Sequence, residues 1–198
     1  MLYYTEYTTP LGEAFGSLML ICEDDKLIGV YTEEQKHVLE SFKVKLVKNN
    51  ENTVFKQVTA WLDSYFAGNR NLKISDLPLA PKGNEFRQLV WQELCRIPYG
   101  QTTTYGEIAK KVAAKMGIKT MSAQAVGGAI GHNPIGIIIP CHRVIGKDGK
   151  IKKWKKPFKI FVKAKNKIGK YVTDLTGISE EMLANEGVKF ATAISELK

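Results

Sequence analysis

Hydrophobic positions near the start of the chain fall into short β-rich runs parted by turn-forming residues. Leu2 to Thr8, Ser17 to Cys22 and Lys26 to Thr32 each read as a strand, with Pro10-Leu11-Gly12 and Glu23-Asp24-Asp25 between them. Together they predict a small antiparallel sheet. Phe55, Val58, Trp61, Leu62, Tyr65 and Phe66 then recur at helical spacing, so an amphipathic helix should lie on that sheet and end at Gly68-Asn69. Residues 72–83, with Pro78, Pro81 and Gly83, read as an extended linker. This divides an N-terminal α/β domain, 1–80, from a C-terminal domain, 81–198.

The second half opens on helical periodicity. Phe86, Leu89, Val90, Leu94 and Cys95 share one face of a helix that should stop before Ile97-Pro98-Tyr99-Gly100. Thr104-Tyr105-Gly106-Glu107 is a capping box that launches Ile108, Ala109, Val112 and Met116 inward, with Gly117 as the stop. Ser122 can cap a second helix, Ala123 to about Gly131, built almost wholly of small residues. Helix, short turn and helix make a helix-turn-helix unit. Glycines inside a helix cost about 1 kcal/mol each, so a close approach should account for them. Either the helix packs tightly in the core, or it enters a DNA groove with Gln124 as its one probing side chain. Beyond it, Ile135 to Ile139 reads as a short buried strand, with a turn expected after Pro140. The fold class is therefore α+β.

Charge adds a partner. The 198 residues carry 29 Lys+Arg against 20 Asp+Glu, a net +9. Residues 1–80 hold 8 basic and 11 acidic side chains, a balance of −3; residues 81–198 hold 21 and 9, a balance of +12. A basic second half favours a polyanion such as nucleic acid, although a Lys-rich face can also be plain solvated surface. No apolar run reaches membrane-spanning length and the start lacks a basic-then-apolar leader, so a soluble, cytoplasmic or nucleoid-associated protein without membrane partners is expected. Cys22, Cys95 and Cys141 show no CxxC spacing, and the three His are His37, His132 and His142. Neither a disulfide framework nor a zinc site follows from that set.

Isolated thiols raise the question of a nucleophile. Cys22 in a strand and Cys95 on an apolar helix face read as small hydrophobes. Cys141 lies in Pro140-Cys141-His142-Arg143-Val144, where a neighbouring imidazole and guanidinium can lower a thiol pKa and hold the thiolate.

The run from Phe86 to Val144 resembles the O6-alkylguanine-DNA alkyltransferases, the methylated-DNA–protein-cysteine methyltransferases. The resemblance rests on Thr104-Tyr105-Gly106-Glu107, Ala125-Val126-Gly127-Gly128-Ala129, Gly131-His132-Asn133-Pro134 and Ile139-Pro140-Cys141-His142-Arg143-Val144, in that order. It implies a ribonuclease-H-like N-terminal sheet and a C-terminal helix-turn-helix domain whose short strand carries the reactive cysteine. It also implies a single-turnover repair protein that flips O6-alkylguanine, and O4-alkylthymine too, out of duplex DNA from the minor-groove side. Cys141 would take the alkyl group, His142 its proton through a water, and Tyr105 would donate to the departing guanine. Asn133 would steady the relay and Glu186 would orient His142. Pro140, Val144 and Tyr171 would line the base pocket. Ser122, Ala123, Gln124, Ala125, Gly127, Gly131, Thr104 and Arg143 would face DNA. No cofactor is implied, and a monomer is expected.

Two departures stand out. Gln124 occupies the position where the family commonly has an Arg that fills the vacated base stack. The family's Tyr-(Ser/Ala)-Gly-Gly loop after Gly149 is replaced by a Lys-rich insertion at about 150–172; Lys147 to Lys170 holds 11 Lys with Trp154, Phe158 and Phe161 interleaved. Such a segment can clamp phosphates and stack on bases, or be solvated surface. The alternative to transfer is a non-catalytic, alkyltransferase-like binder of alkylated bases, against which the intact Cys141 argues. A cysteine hydrolase would turn over repeatedly, and a sequence-reading regulator would need more than Ala and Gly in its recognition helix.

Overall fold

The computed structural model describes residues 1–10, 16–32 and 45–147. Three strands lie where the pattern puts them, β1 (Leu2–Thr8), β2 (Ser17–Glu23) and β3 (Lys26–Thr32), paired antiparallel in sequence order. The expected sheet is wholly antiparallel. The observed sheet also has β4 (Val47–Lys48), which runs parallel to β1 and gives the order β3-β2-β1-β4. Two residues are too short for a periodic signal.

Helix α1 (Thr53–Phe66) starts at Asn52, whose side chain accepts from the Val54 N–H at 2.9 Å, and buries Phe55, Val58 and Leu62 toward β2 and β3. The segment expected to be a linker is stitched to the sheet. Leu27 N–H donates to the Pro78 carbonyl and Ala80 N–H to the Leu27 carbonyl, both at 2.8 Å, so residues 78–80 cover the β3 edge. An edge strand left bare would be a template for unwanted pairing. Further along β3, Val30 donates to the Pro134 carbonyl at 2.8 Å and bridges Ile135. The sheet is thereby joined directly to the chain just upstream of Cys141.

In the second half, α2 (Glu85–Cys95), α3 (Tyr105–Lys115) and α4 (Ala123–Gly131) pack on one another in all three pairings. On α2 the buried stripe is Val90, Trp91 and Leu94, while Phe86 and Leu89 are only half-buried. Trp91 Nε1 donates to the Ala129 carbonyl at 2.9 Å and so ties α2 to α4 inside the core. Gly83 leaves the space this ring needs, since a Cβ there would come within 2.6 Å of it. The capping box of Thr104 and Glu107 is present at the start of α3. At its end Gly117, with φ 66°, donates to Ala114 and Ile118 donates to Ala113, closing the helix in a Schellman turn. Met116, expected to face inward, is 39% exposed because it falls on that closing turn.

One apolar core runs from Leu18 and Leu20 through Phe55 and Leu62 to Trp91, Ile108, Val126 and Ile138. The other sheet face buries Leu2, Met19, Ile21 and Ile28. Among the described residues no helix is long and apolar enough to cross a membrane.

Glu93 is the charged exception in this core. Its side chain is 2% exposed and pairs with Lys115 at 2.6 Å and with Arg96, linking α2 to α3. Burial pushes its carboxyl pKa up, but Lys115 and Arg96 outweigh burial and hold it below the usual value. The depressed pKa means that the stabilisation is present above the ordinary carboxylate value and is lost as pH falls through the lower, folded one. Glu93→Gln should therefore cost about 1.5–3 kcal/mol of urea-measured stability near pH 7. The gap between variant and wild type should shrink as pH drops below about 4; a gap independent of pH would show that the charge is not what matters.

Candidate active site

The aliphatic run before Cys141 is not the expected strand. Only Ile135 makes a bridge, to Val30; the rest coils, with Ile138 N–H donating to Gly136 at 2.8 Å and Ile139 N–H to Ile135 at 3.0 Å. Ile137 sits at φ 70°, a region that a β-branched residue occupies only under strain. Residues 135–140 are nevertheless all buried. Apolar runs of five residues do not distinguish a strand from another buried conformation.

Asn133 holds this coil together. Itself buried, it donates from Nδ2 to the Ile139 carbonyl at 2.9 Å and accepts the Ile135 N–H on Oδ1 at 3.0 Å. Its side chain also hydrogen-bonds Cys141. The chain then enters a 3-10 turn, Cys141–Arg143, where a turn was expected, with Cys141 N–H donating to Ile139 at 2.8 Å. Strand β6 (Val144–Ile145) follows and pairs in parallel with β5 (Thr103–Thr104), Thr103 opposite Val144. That two-residue ladder sets the start of α3 beside the cysteine turn, and so brings Tyr105 to Cys141.

The titrating groups fit a resting thiol beside a neutral base. Cys141 keeps some accessible surface but is packed by protein around its sulphur. Burial raises its thiol pKa, partly offset by the Asn133 side chain and by hydrogen bonds from the backbone of Cys141 and His142. His142 is driven down to about 3 by burial, aided by the neighbouring Arg143. Its Nε2 is buried without a hydrogen-bond partner among the described residues. Tyr105, 4% exposed, is pushed up to about 12 by burial and then by Cys141, so its phenol keeps its proton.

Arg143 departs from expectation. Its guanidinium points inward, donating to the Ile97 carbonyl at 2.8 Å, hydrogen-bonding Tyr65 and stacking over Tyr99 at 5.5 Å. A side chain so engaged anchors the cysteine turn to α1 and to the loop after α2. Tyr65, Ile97 and Tyr99 are not among the expected site residues, because nothing local marks partners so distant in sequence.

The remaining candidates divide by position. Pro140 and Val144 are buried around the turn. Thr104 and Ser122 cap α3 and α4, Ser122 accepting from Gln124 and Ala125. On α4 the inner face is Val126, Ala129 and Ile130; Gln124, Ala125, Gly128 and Gly131 are exposed, and Ala123 and Gly127 half-buried. A Cβ on Gly128 would meet nothing, and one on Gly127 would make ordinary contact with Tyr105 at 3.8 Å. Packing among the described residues therefore does not require these glycines. Tyr171, Glu186 and nearly all of the Lys-rich insertion lie outside the described residues.

Fold and site together define a helix-turn-helix protein with a thiol–imidazole centre seated between its helices and a mixed sheet. Residues 2–81 match the family model described as 6-O-methylguanine DNA methyltransferase, ribonuclease-like domain, and residues 85–188 match its DNA binding domain. The chain belongs to the 6-O-methylguanine DNA methyltransferase family. A methylated-DNA–protein-cysteine methyltransferase of Haemophilus influenzae is 37% identical over 147 residues, covering 74% of this chain and 75% of that one. One from Methanosarcina acetivorans is 40% identical over 150 residues, 76% of this chain and 87% of that one. Among solved structures, Mycobacterium tuberculosis OGT in complex with DNA superposes with a TM-score of 0.62 at 36% identity, covering 77% of this chain and 83% of that one.

Because the folded His142 pKa lies below the unfolded value of about 6.5, its neutral form favours the fold and that stability declines as pH falls below about 6.5. In an NMR titration the His142 ring signals should stay unshifted between about pH 8 and pH 5. An inflection near about 6.5 would mean that the imidazole is solvated and ordinary.

Proposed function

We propose that this protein repairs DNA by moving the alkyl group of O6-alkylguanine, and of O4-alkylthymine, to Cys141 in one irreversible event. The observation that carries this reading is the Cys141 thiol brought to the Tyr105 phenol, with the buried His142 imidazole next in the chain, beside a recognition helix with an almost bare outer face. The relatives named above act on methylated DNA through a cysteine, which agrees with it.

In this reading α4 lies against the minor groove. Ala123, Ala125, Gly127 and Gly131 let the backbone approach, while Ser122 and Thr104 meet phosphates beside it. Gln124 enters the stack that the flipped base leaves. The extruded base sits against Pro140 and Val144, with Tyr171 closing over it, and Arg143 holds the turn. His142 takes the thiol proton through a water, and the Cys141 sulphur attacks the alkyl carbon as the carbon–O6 bond breaks. Tyr105 passes a proton to the guanine ring, which spares the purine from leaving as an anion. The phenol regains a proton from the imidazolium side, so the thiol proton ends on guanine and the alkyl group on sulphur. No cofactor enters that balance.

A buried site that keeps thiol and imidazole neutral resists forming a thiolate–imidazolium pair. A carboxylate partner for His142 would relieve this, and Glu186 is the residue we assign to it. We further assign residues 1–80 to support of the turn and 81–198 to chemistry and DNA contact, in a monomer working on nucleoid DNA in the cytoplasm.

Intact-protein mass after incubation with excess duplex carrying one O6-methylguanine should rise by a single methyl group, mapped to Cys141. The Cys141→Ser variant should bind the same duplex and gain nothing. Preference for the damaged duplex with no mass gain in the wild type would instead establish a damage-binding protein without transfer.

A further inference from the structure

A cleft of about 290 Å³ opens on the far side of Arg143, between the end of α1, residues 69–75 and the loop after α2. Its walls carry Arg70, Lys73, Arg96 and Arg143, and among the described residues no Asp or Glu lines it. Asp76, beside Ser75 in the chain, and Glu93, the partner of Arg96, are not among the lining residues. Asp76 accepts the Ser75 hydroxyl at 3.2 Å, and Glu93 is held by Arg96 and Lys115.

The floor is fixed. Trp61 stacks on Tyr65 with ring centroids 5.4 Å apart, and Trp61 Nε1 donates to the Lys73 carbonyl at 3.3 Å. This locks the backbone from which Lys73 projects. Arg143 gives N–H groups to Ile97 and Tyr65, yet a guanidinium has five donors, so part of its fork remains for a ligand at the cleft wall. Arg70 and Lys73 are exposed and have no ion-pair partner among the described residues.

Arg70, Lys73 and Arg143 line one concavity with no ion-pair partner among the described residues, Arg96 being paired with Glu93, and they create a positive potential focused by low-dielectric aromatic walls. The size is at the lower limit of ligand clefts, about 300–1,000 Å³, which suits a compact anion. We infer that this cleft is a phosphate-binding site, separate from the thiol centre and connected to it through Arg143. Its occupant carries one or two phosphate groups, either free or as part of a DNA backbone. An anion there would draw the guanidinium toward itself and bear on the turn that presents Cys141.

The test is calorimetric titration of the full-length protein with inorganic pyrophosphate in a chloride buffer. Saturable binding is expected, weakened at least about tenfold in an Arg70→Gln/Lys73→Gln double variant. Ser75→Glu, which adds a negative charge to the same wall without removing a cation, should weaken it as well. Pyrophosphate that competes with an undamaged duplex would make the occupant a DNA phosphate, and binding without competition would make it a free one. Absence of saturable binding, or binding that both variants leave unchanged, would overturn the inference.

Discussion

The buried amide of Asn133 is the constraint on which the site depends. A coil through the core leaves backbone groups that water cannot reach, and each one unmet costs about 1–3 kcal/mol. Asn133 meets two of them, the Ile139 carbonyl and the Ile135 N–H, and adds a hydrogen bond to Cys141. One side chain thus stabilises a non-regular path and sets the sulphur at its end. Leu or Val there would fill the volume and strand both polar groups. The left-handed Ile137 is tolerated because the bridge to Val30 and the Asn133 bonds hold the coil on either side of it.

From this turn, two longer connections define where the chemistry sits. The β5–β6 ladder joins Thr103 to Val144, and since Thr104 caps α3, the first residue of that helix must lie next to Cys141. Arg143 draws the other side toward Tyr65 of α1. The sheet-and-helix half of the molecule is therefore part of the scaffold for the thiol, and Tyr65 of α1 interacts electrostatically with Cys141. Burial then acts on every titrating group in the same sense. It disfavours thiolate, imidazolium and phenolate alike, leaving three neutral groups whose protons move only when a partner makes charge tolerable.

Local physics was legible and long-range physics was not. The three strands, the capping box at Thr104 and Glu107, the Ser122 cap and the Gly117 stop are each written within a few residues, and each lies where the pattern put it. β4 has two residues and no periodicity of its own. The coil at 135–139 is not legible, because five aliphatic residues report burial, not backbone shape. Trp91 carries no local signal of its role, a hydrogen bond to Ala129 that only the folded arrangement of α2 and α4 reveals. The DNA role of Arg143 rests on the resemblance alone; its partners Ile97, Tyr99 and Tyr65 are distant in sequence. Glu186 and Tyr171 rest on motif resemblance alone.

The glycines of α4 illustrate what an interior account leaves over. Each costs about 1 kcal/mol of helix stability relative to Ala. The fold recovers none of this at Gly128, where an added methyl would meet nothing, and little at Gly127, where it would rest at 3.8 Å from Tyr105. The inner residues Val126, Ala129 and Ile130 already complete the contact with α2 and α3. Among the described residues, this helix gives up stability on its outer side without a packing reason. The face formed by Gln124, Ala125, Gly128 and Gly131 has room for a closely apposed backbone and one side chain able to probe beyond it. In the function proposed above, the recognition helix is specified by what it must not obstruct, and specificity for the damaged base falls to the pocket around Cys141.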